Sequence, residues 1–88
     1  MKYKATRVHE VLLESGFIQP DGYSKLTLRN EGSKDVTIYG IITIPPYFEK
    51  TYDELPGVEI SDRIPVRFEN ADNSKKLIIE KTYYKTRL

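Results

Sequence analysis

The single histidine, His9, is the one residue of this chain that could serve as a general base for a serine nucleophile. A Ser–His mechanism needs a serine beside the imidazole and a third group that orients it. No G-x-S-x-G motif occurs, and His9 next to Glu10 is typical of a surface or edge residue. We therefore expect no catalytic residue.

Metal and phosphate chemistry has no better support in the sequence. With no cysteine and one histidine, a zinc site built from side chains is excluded. The adjacent Asp53 and Glu54 do not match the spacing of a calcium loop, and the scattered glycines form no phosphate loop. A catalytic carboxylate pair needs a cleft, which an 88-residue domain hardly encloses. We predict that the chain is not an enzyme and has no metal, cofactor or small-molecule substrate.

Seven tyrosines and no tryptophan form the most unusual feature of the composition. Tyrosine is a good strand residue whose ring covers a half-buried sheet. The alternative is single-stranded nucleic acid binding, because basic residues flank stacking rings in "KYK" and "KTYYKTR". Adjacent tyrosines in a strand point to opposite faces, and the net charge of +1 exerts no global pull on nucleic acid, so this alternative is less favoured. Its candidate residues are Tyr3, Lys4, Lys81, Tyr83, Lys85 and Arg87.

A second group of aromatic residues lies in the acidic stretch "YFEKTYDELPGVEIS", where the alternation of a strand dissolves. Exposed aromatic residues outside regular strands are favoured at protein–protein contacts. An equally weighted alternative is that these residues fold back and plug one open end of the fold. The candidate partner-binding residues are Tyr47, Phe48, Tyr52 and Leu55.

Length and composition limit the elements that position these residues. The 88 residues make one domain, residues 1–88, with a modest core, and neither disulfides nor a metal compensates for its size. Association with another copy or another protein is the remaining compensation. These limits favour a protein-interaction module.

Period-2 alternation marks the strands. Two hairpins are predicted: one with the turn "RNEGSKD" and one from Ile64–Phe68 through "ENADNSKK" to "LIIEKTYYK". Gly40 is expected to mark either a bulge in the second strand of the first hairpin or a close approach by another group, such as an aromatic neighbour. The side chains of the first hairpin that should face the core are Leu26, Leu28, Val36, Ile38, Ile42 and Ile44.

The N-terminal stretch from Tyr3 to Leu13 fits either a helical stripe or a strand with Val11 and Leu13 inward. We favour the strand, because β-branched residues are frequent there. One further short strand is expected around Val58–Ile60. Six or so short strands predict an all-β fold, a small antiparallel β-sandwich, with a small β-barrel as the alternative.

Cellular location is constrained only weakly. "MKYKATRVHE" is basic but is followed by no apolar segment, so no signal peptide is predicted, and no segment is long enough for membrane insertion. We expect synthesis in the cytoplasm.

The run "LTLRNEGSKDVTIYGIIT" with "ELPGVEI" downstream resembles a pattern in small immunoglobulin-like β-sandwiches. Similar segments occur in the head domains of archaeal pilins and archaellins and in small virion proteins of bacteriophages. The stretch "MKYKATRVHEVLLESG" differs from the long hydrophobic helix of pilins. The resemblance therefore implies a structural subunit of a larger assembly such as a virion, with a protein partner or a second copy as its contact.

Overall fold

The computed structural model describes residues 2–69 and 74–87. These residues form eight strands and no helix, which confirms the all-β prediction. Accordingly, none of them belongs to a helix that is long and apolar enough to span a membrane. The strands are β1 (Lys2–Leu12), β2 (Gly16–Ile18), β3 (Lys25–Asn30), β4 (Val36–Ile38), β5 (Ile42–Ile44), β6 (Glu49–Asp53), β7 (Ile64–Phe68) and β8 (Leu77–Arg87).

The strands make two antiparallel sheets that pack face to face. The first sheet has the order β1-β8-β3-β6, and the second has the order β2-β7-β4-β5. Each sheet ends in two edge strands, so the sandwich is open and the alternative of a closed barrel is wrong. The prediction of a small antiparallel β-sandwich is confirmed.

The core lies between the two inner faces, because alternate side chains of each strand point inward. Leu26 and Leu28 of β3 belong to the same core cluster as Val36 and Ile38 of β4, and all four are fully buried. Ile44 is also buried, whereas Ile42 at the free edge of the second sheet is half-buried. The predicted inward face is therefore confirmed, with partial exposure at its end.

Both predicted hairpins are wrong, because the two strands of each lie in different sheets. β3 is in the first sheet and β4 in the second, while β7 is in the second sheet and β8 in the first. Alternation indicates which side of a strand faces the core, but it does not identify the neighbouring strand. Of the second predicted turn, residues 70–73 lie outside the described residues.

The hairpin that does form joins β4 to β5 through Tyr39 and Gly40. Both residues have positive φ angles, 56° and 73°, and the amide of Ile41 donates to the carbonyl of Ile38. Two positive φ angles at the centre are characteristic of the type I′ turn, which suits the twist of a two-stranded ribbon. Gly40 therefore lies in a tight turn, and the predicted bulge within a strand is wrong.

Asn30 holds the connection that crosses from β3 to β4. Its fully buried side chain donates to the carbonyls of Lys34 and Ile44, both at 2.8 Å, and accepts from the amide of Gly32 at 2.9 Å. A Cβ atom at Gly32 would lie 2.6 Å from the carbonyl oxygen of Ser74, so the backbone approaches too closely for any larger residue.

The N-terminal stretch is a strand, as favoured, but its inward residues differ from the prediction. Val11 is exposed, Leu13 lies beyond the end of β1, and Leu12 is the residue that packs against the core. In the acidic stretch the strand is β6, at Glu49–Asp53, and none forms at Val58–Ile60.

β1 and β8 extend past the rest of the first sheet. β3 pairs with β8 only as far as Thr82, whereas β1 pairs with β8 along its whole length. Residues 2–6 and 83–87 therefore form a two-stranded projection, which we call the terminal ribbon. It contributes to an elongated shape of 48 × 19 × 17 Å.

Candidate functional site

A buried ion cluster lies where the terminal ribbon leaves the sandwich. Lys81 follows Ile79 on the inner face of β8, and its side chain is only 4% exposed. Its Nζ atom lies 2.8 Å from Oε2 of Glu10 in β1 and 3.1 Å from Oδ2 of Asp21, which precedes β3. Two partly exposed carboxylates thus surround one buried ammonium group.

In this cluster, Lys81 and Asp21 each stabilise the charged form of the other. Burial alone lowers the pKa of Lys81, but hydrogen bonds and charges from Glu10 and Asp21 outweigh it and raise the pKa above 10.5. Burial raises the pKa of Asp21, yet hydrogen bonds from Tyr83 and Lys81 outweigh that effect and lower it below 3.8. Lys81 therefore stays protonated at neutral pH, unlike a lysine that acts as a nucleophile or base.

Tyr83 and Tyr23 complete this cluster. Burial and the hydrogen bond to Asp21, 2.8 Å from hydroxyl to Oδ1, raise the pKa of Tyr83 to about 12. The Tyr23 ring packs edge-on against Tyr83 and lies 5.3 Å from Nζ of Lys81. A cation–π contact of this kind further stabilises the buried ammonium. The cluster is suited to joining β1 and the loop before β3 to β8.

Sequence reasoning missed Glu10 and Asp21 as parts of this cluster. A signal was present, since Lys81 shares a strand face with Leu77 and Ile79, and a buried lysine requires a counter-ion. The sequence shows the need for a carboxylate but not which one, because Asp21 lies 60 positions away.

Tyr47 and Phe48 form an exposed aromatic pair in the connection from β5 to β6, which we call the Tyr47–Phe48 turn. Their exposed fractions are 66% and 63%. The backbone is nevertheless well held. The amide of Tyr47 donates to the carbonyl of Asn30 at 2.6 Å, and the amide of Asn30 donates to the carbonyl of Phe48 at 3.1 Å. Tyr47 has a φ of 68°, a left-handed conformation that is uncommon outside glycine.

The other two candidate partner-binding residues do not join this pair. The Tyr52 ring is half-buried against the core, edge-on to Tyr39 at 6.0 Å between ring centroids. Leu55 is 75% exposed but lies beyond the opposite end of β6. The structure therefore divides the four residues: Tyr52, in β6, packs against the core, while Tyr47, Phe48 and Leu55 are exposed.

The candidate nucleic-acid residues are divided in the same way. Tyr3 and Lys4 lie in the terminal ribbon, where Lys4 stands directly opposite Lys85 and where Arg87 is the register partner of Lys2. The two remaining candidates belong to the ion cluster at the base of the ribbon: Lys81 is buried in it, and the Tyr83 hydroxyl donates to Asp21.

His9 lies on the exposed outer face of the first sheet. Its Nε2 is 2.9 Å from Oε2 of Glu80, its register partner, and Nε of Arg7 lies 3.7 Å from the other carboxylate oxygen. Ser15 is engaged elsewhere, since its hydroxyl accepts from the amide of Phe68. Within residues 2–69 and 74–87, no group of three His, Cys, Asp or Glu side chains could hold a metal ion.

The fold and these sites together define the chain as a small open antiparallel β-sandwich with an exposed aromatic turn and a cationic terminal ribbon. Comparisons with family models, curated proteins and solved structures found no significant match.

Proposed function

We propose that the chain is a non-enzymatic structural subunit of a larger protein assembly, such as a virion or a surface structure. It contacts a neighbouring subunit through the Tyr47–Phe48 turn. The observation that carries the proposal is the outward display of two adjacent aromatic side chains on a hydrogen-bonded backbone. The resemblance to small immunoglobulin-like domains of such assemblies points in the same direction.

Burial of the two rings and a rigid backbone favour binding of a partner at the Tyr47–Phe48 turn. Phenylalanine and tyrosine each bury a large apolar area on binding, and aromatic residues are prominent among the residues that dominate interface energies. Because the backbones of Tyr47 and Phe48 are already bonded to Asn30, little conformational entropy is lost when a partner binds. The unfavourable left-handed φ of Tyr47 is supported by the same bonds.

The neighbouring strand enlarges the contact surface. β6 begins at Glu49, immediately after the aromatic pair, and it is the other edge strand of the first sheet. An adjoining subunit can therefore cover the two rings and pair with the free backbone of β6 in one contact.

Solution mass tests the proposal. Light scattering over a range of concentrations should show defined species larger than a dimer for the wild-type chain, with ordered particles visible by electron microscopy. The double variant Tyr47→Ser, Phe48→Ser should lose these species. Phe17→Ser is the matched control, because Phe17 is a half-exposed aromatic residue on the outer face of the second sheet. Species larger than a dimer in the double variant would reject the proposal. The lack of such species in the wild type would also reject it.

A second candidate function is single-stranded nucleic acid binding by the terminal ribbon. Lys4 opposite Lys85 is a like-charge pair that an anionic ligand would relieve, and Tyr3 and Tyr84 supply rings on the other face. An oligothymidine probe should bind more weakly as salt rises, and Lys4→Glu with Lys85→Glu should abolish binding. Fluorescence anisotropy without a signal at about 50 mM salt would reject this function.

A further inference from the structure

The outer edge of β1 is the longest free strand edge in the described part of the chain. β1 has eleven residues, whereas the other edge strands, β2, β5 and β6, have three, three and five. Its pairing with β8 runs without a bulge from Lys2 to Leu12, and the strand contains no proline. Natural edge strands avoid pairing with other chains by being short, bulged, interrupted by proline or charged, and of these features β1 has only its charged residues.

We propose that two copies of this chain pair antiparallel along the outer edges of β1, so that their first sheets become one continuous sheet. The two-fold axis passes midway between the two Thr6 residues, so that Thr6 of one copy stands opposite Thr6 of the other. The pairing rests on the proposed assembly role and supplies it with a defined partner, a second copy.

Symmetry restricts the register. Directly opposed side chains of an antiparallel pair share a face, whereas neighbouring residues of one strand do not. A two-fold axis perpendicular to the sheet must therefore place one residue of β1 opposite the same residue of the second copy. An axis at Arg7 opposes two arginines, and an axis at Ala5 or at Val8 opposes no two residues of opposite charge. With the axis at Thr6, Lys2 stands opposite Glu10 of the second copy, and symmetry repeats this pair. No like-charged pair is directly opposed in that arrangement.

Local charge imbalance favours the same register. In the ion cluster, the two carboxylates of Glu10 and Asp21 face the single ammonium of Lys81, and both are about half exposed. They border a cleft of about 200 Å³ between β1 and β2. The terminal ribbon has the opposite imbalance, with Lys4 opposite Lys85. Pairing at Thr6 brings Lys2 of one copy opposite Glu10 of the other, which is the arrangement that complementary charges favour.

The outer face of the paired strands is also compatible. Tyr3 stands opposite His9 of the second copy, with Arg7 of that copy diagonally adjacent. The Tyr3 ring is exposed in the single chain, and the Arg7 side chain is 60% exposed although its Nε lies 3.7 Å from Glu80, so the two side chains can meet in a cation–π contact. Pairing along this edge therefore covers apolar ring surface as well as backbone hydrogen-bonding groups.

Single-cysteine cross-linking tests the register directly, because the natural chain has no cysteine. Thr6→Cys places two thiols opposite each other within the roughly 4.4–6.8 Å between Cα atoms that a disulfide spans. Val8→Cys is the control, since the proposed register separates its two thiols by four residues, about 13 Å. Under mild oxidation, Thr6→Cys should form a covalent dimer and Val8→Cys should not. Cross-linking of Val8→Cys alone would overturn the register.

Two charge variants test the contact by sedimentation equilibrium. Lys2→Glu turns both Lys2–Glu10 pairs into like-charge pairs and should weaken dimerisation roughly tenfold. Lys4→Glu makes the same change in net charge, but it faces Val8 of the second copy and should have a much smaller effect. A wild-type chain that stays monomeric at every concentration, or a larger effect from Lys4→Glu, would overturn the pairing.

The two proposals fail separately. A wild-type chain that forms only dimers, with Thr6→Cys cross-linked, would reject assembly through the Tyr47–Phe48 turn and support pairing along β1. Larger species that depend on Tyr47 and Phe48 but contain no Thr6→Cys cross-link would reject the β1 pairing and support the turn.

Discussion

The same two strands, β1 and β8, behave differently in the sandwich and in the terminal ribbon. In the sandwich, Leu77 and Ile79 of β8 are buried because the second sheet covers them. In the ribbon, only β1 and β8 are paired, and both Lys4 and Lys85 are exposed. Alternation continues through both regions, so the presence of an opposing sheet, and not the local pattern, determines burial.

The ion cluster lies at the boundary between these regions. Lys81 is the last residue of the inner face of β8 to lie opposite β3, and its carboxylate partners come from β1 and the loop before β3. Its charge is buried where the apolar core ends, so the cluster closes that end of the core. Stability should therefore decrease from the core, through the cluster, to the ribbon.

The largest effect is expected from Ile38→Asp in the core. Ile38 is fully buried on β4, and an unpaired carboxylate there should cost at least about 4 kcal/mol, enough to unfold so small a domain. Circular dichroism should show no cooperative thermal transition. A transition like that of the wild type would mean that the inward face of β4 is misassigned.

A matched pair of truncations compares the core with β1. Leu28→Ala removes a fully buried side chain and should lower the free energy of unfolding by about 3 kcal/mol. Val8→Ala, on the partly exposed β1, should change it by less than about 0.5 kcal/mol. Chemical denaturation of both variants measures the difference, and equal losses would contradict the proposed contrast.

Asp21→Asn tests the boundary cluster. The lowered pKa of Asp21 means that its stabilisation is complete above the unfolded value, near 3.8, and is lost as pH falls through the lower folded value. At pH 7 the variant should lose about 1 kcal/mol, a modest amount because Asp21 is half exposed.

The pH dependence of stability distinguishes loss of the Asp21 carboxylate from a destabilisation that is independent of pH. Between pH 7 and pH 2 the melting temperature of Asp21→Asn should fall less than that of the wild type, because the variant has no carboxylate to protonate. Asp53→Asn, at an exposed position of β6, should follow the wild type. Equal acid sensitivity of wild type and Asp21→Asn would argue against the cluster.

The smallest effect is expected from Lys4→Glu in the ribbon. It replaces a like-charge pair with Lys85 by an opposite-charge pair and should stabilise the chain by about 0.5 kcal/mol. Thermal melts at low protein concentration measure the change, and about 1 M salt should remove most of it. A destabilised variant would show that Lys4 makes a favourable contact in the ribbon.

Much of the fold could be predicted from short-range pattern. The alternation of Leu26 and Leu28, and of Val36 and Ile38, identified inward faces that the structure confirms. The β-branched residues near the N terminus favoured a strand over a helix, which is also correct. The candidate sites were found only in part: Tyr47 and Phe48 are exposed together, whereas Tyr52 packs against the core.

Alternation and turn chemistry act between residues close in the chain, so the amino-acid order alone indicates an all-β sandwich and the inward sides of β3 and β4, though not that of β1. Strand partners depend on contacts between distant positions, and for that reason two apparent hairpins are crossings between sheets. The same holds for Lys81, whose carboxylates Glu10 and Asp21 lie far away in sequence and meet it only when β1 and β8 pair. The free edge of β1 likewise depends on tertiary structure, because β1 pairs with β8 on one side only and its other side stays unpaired.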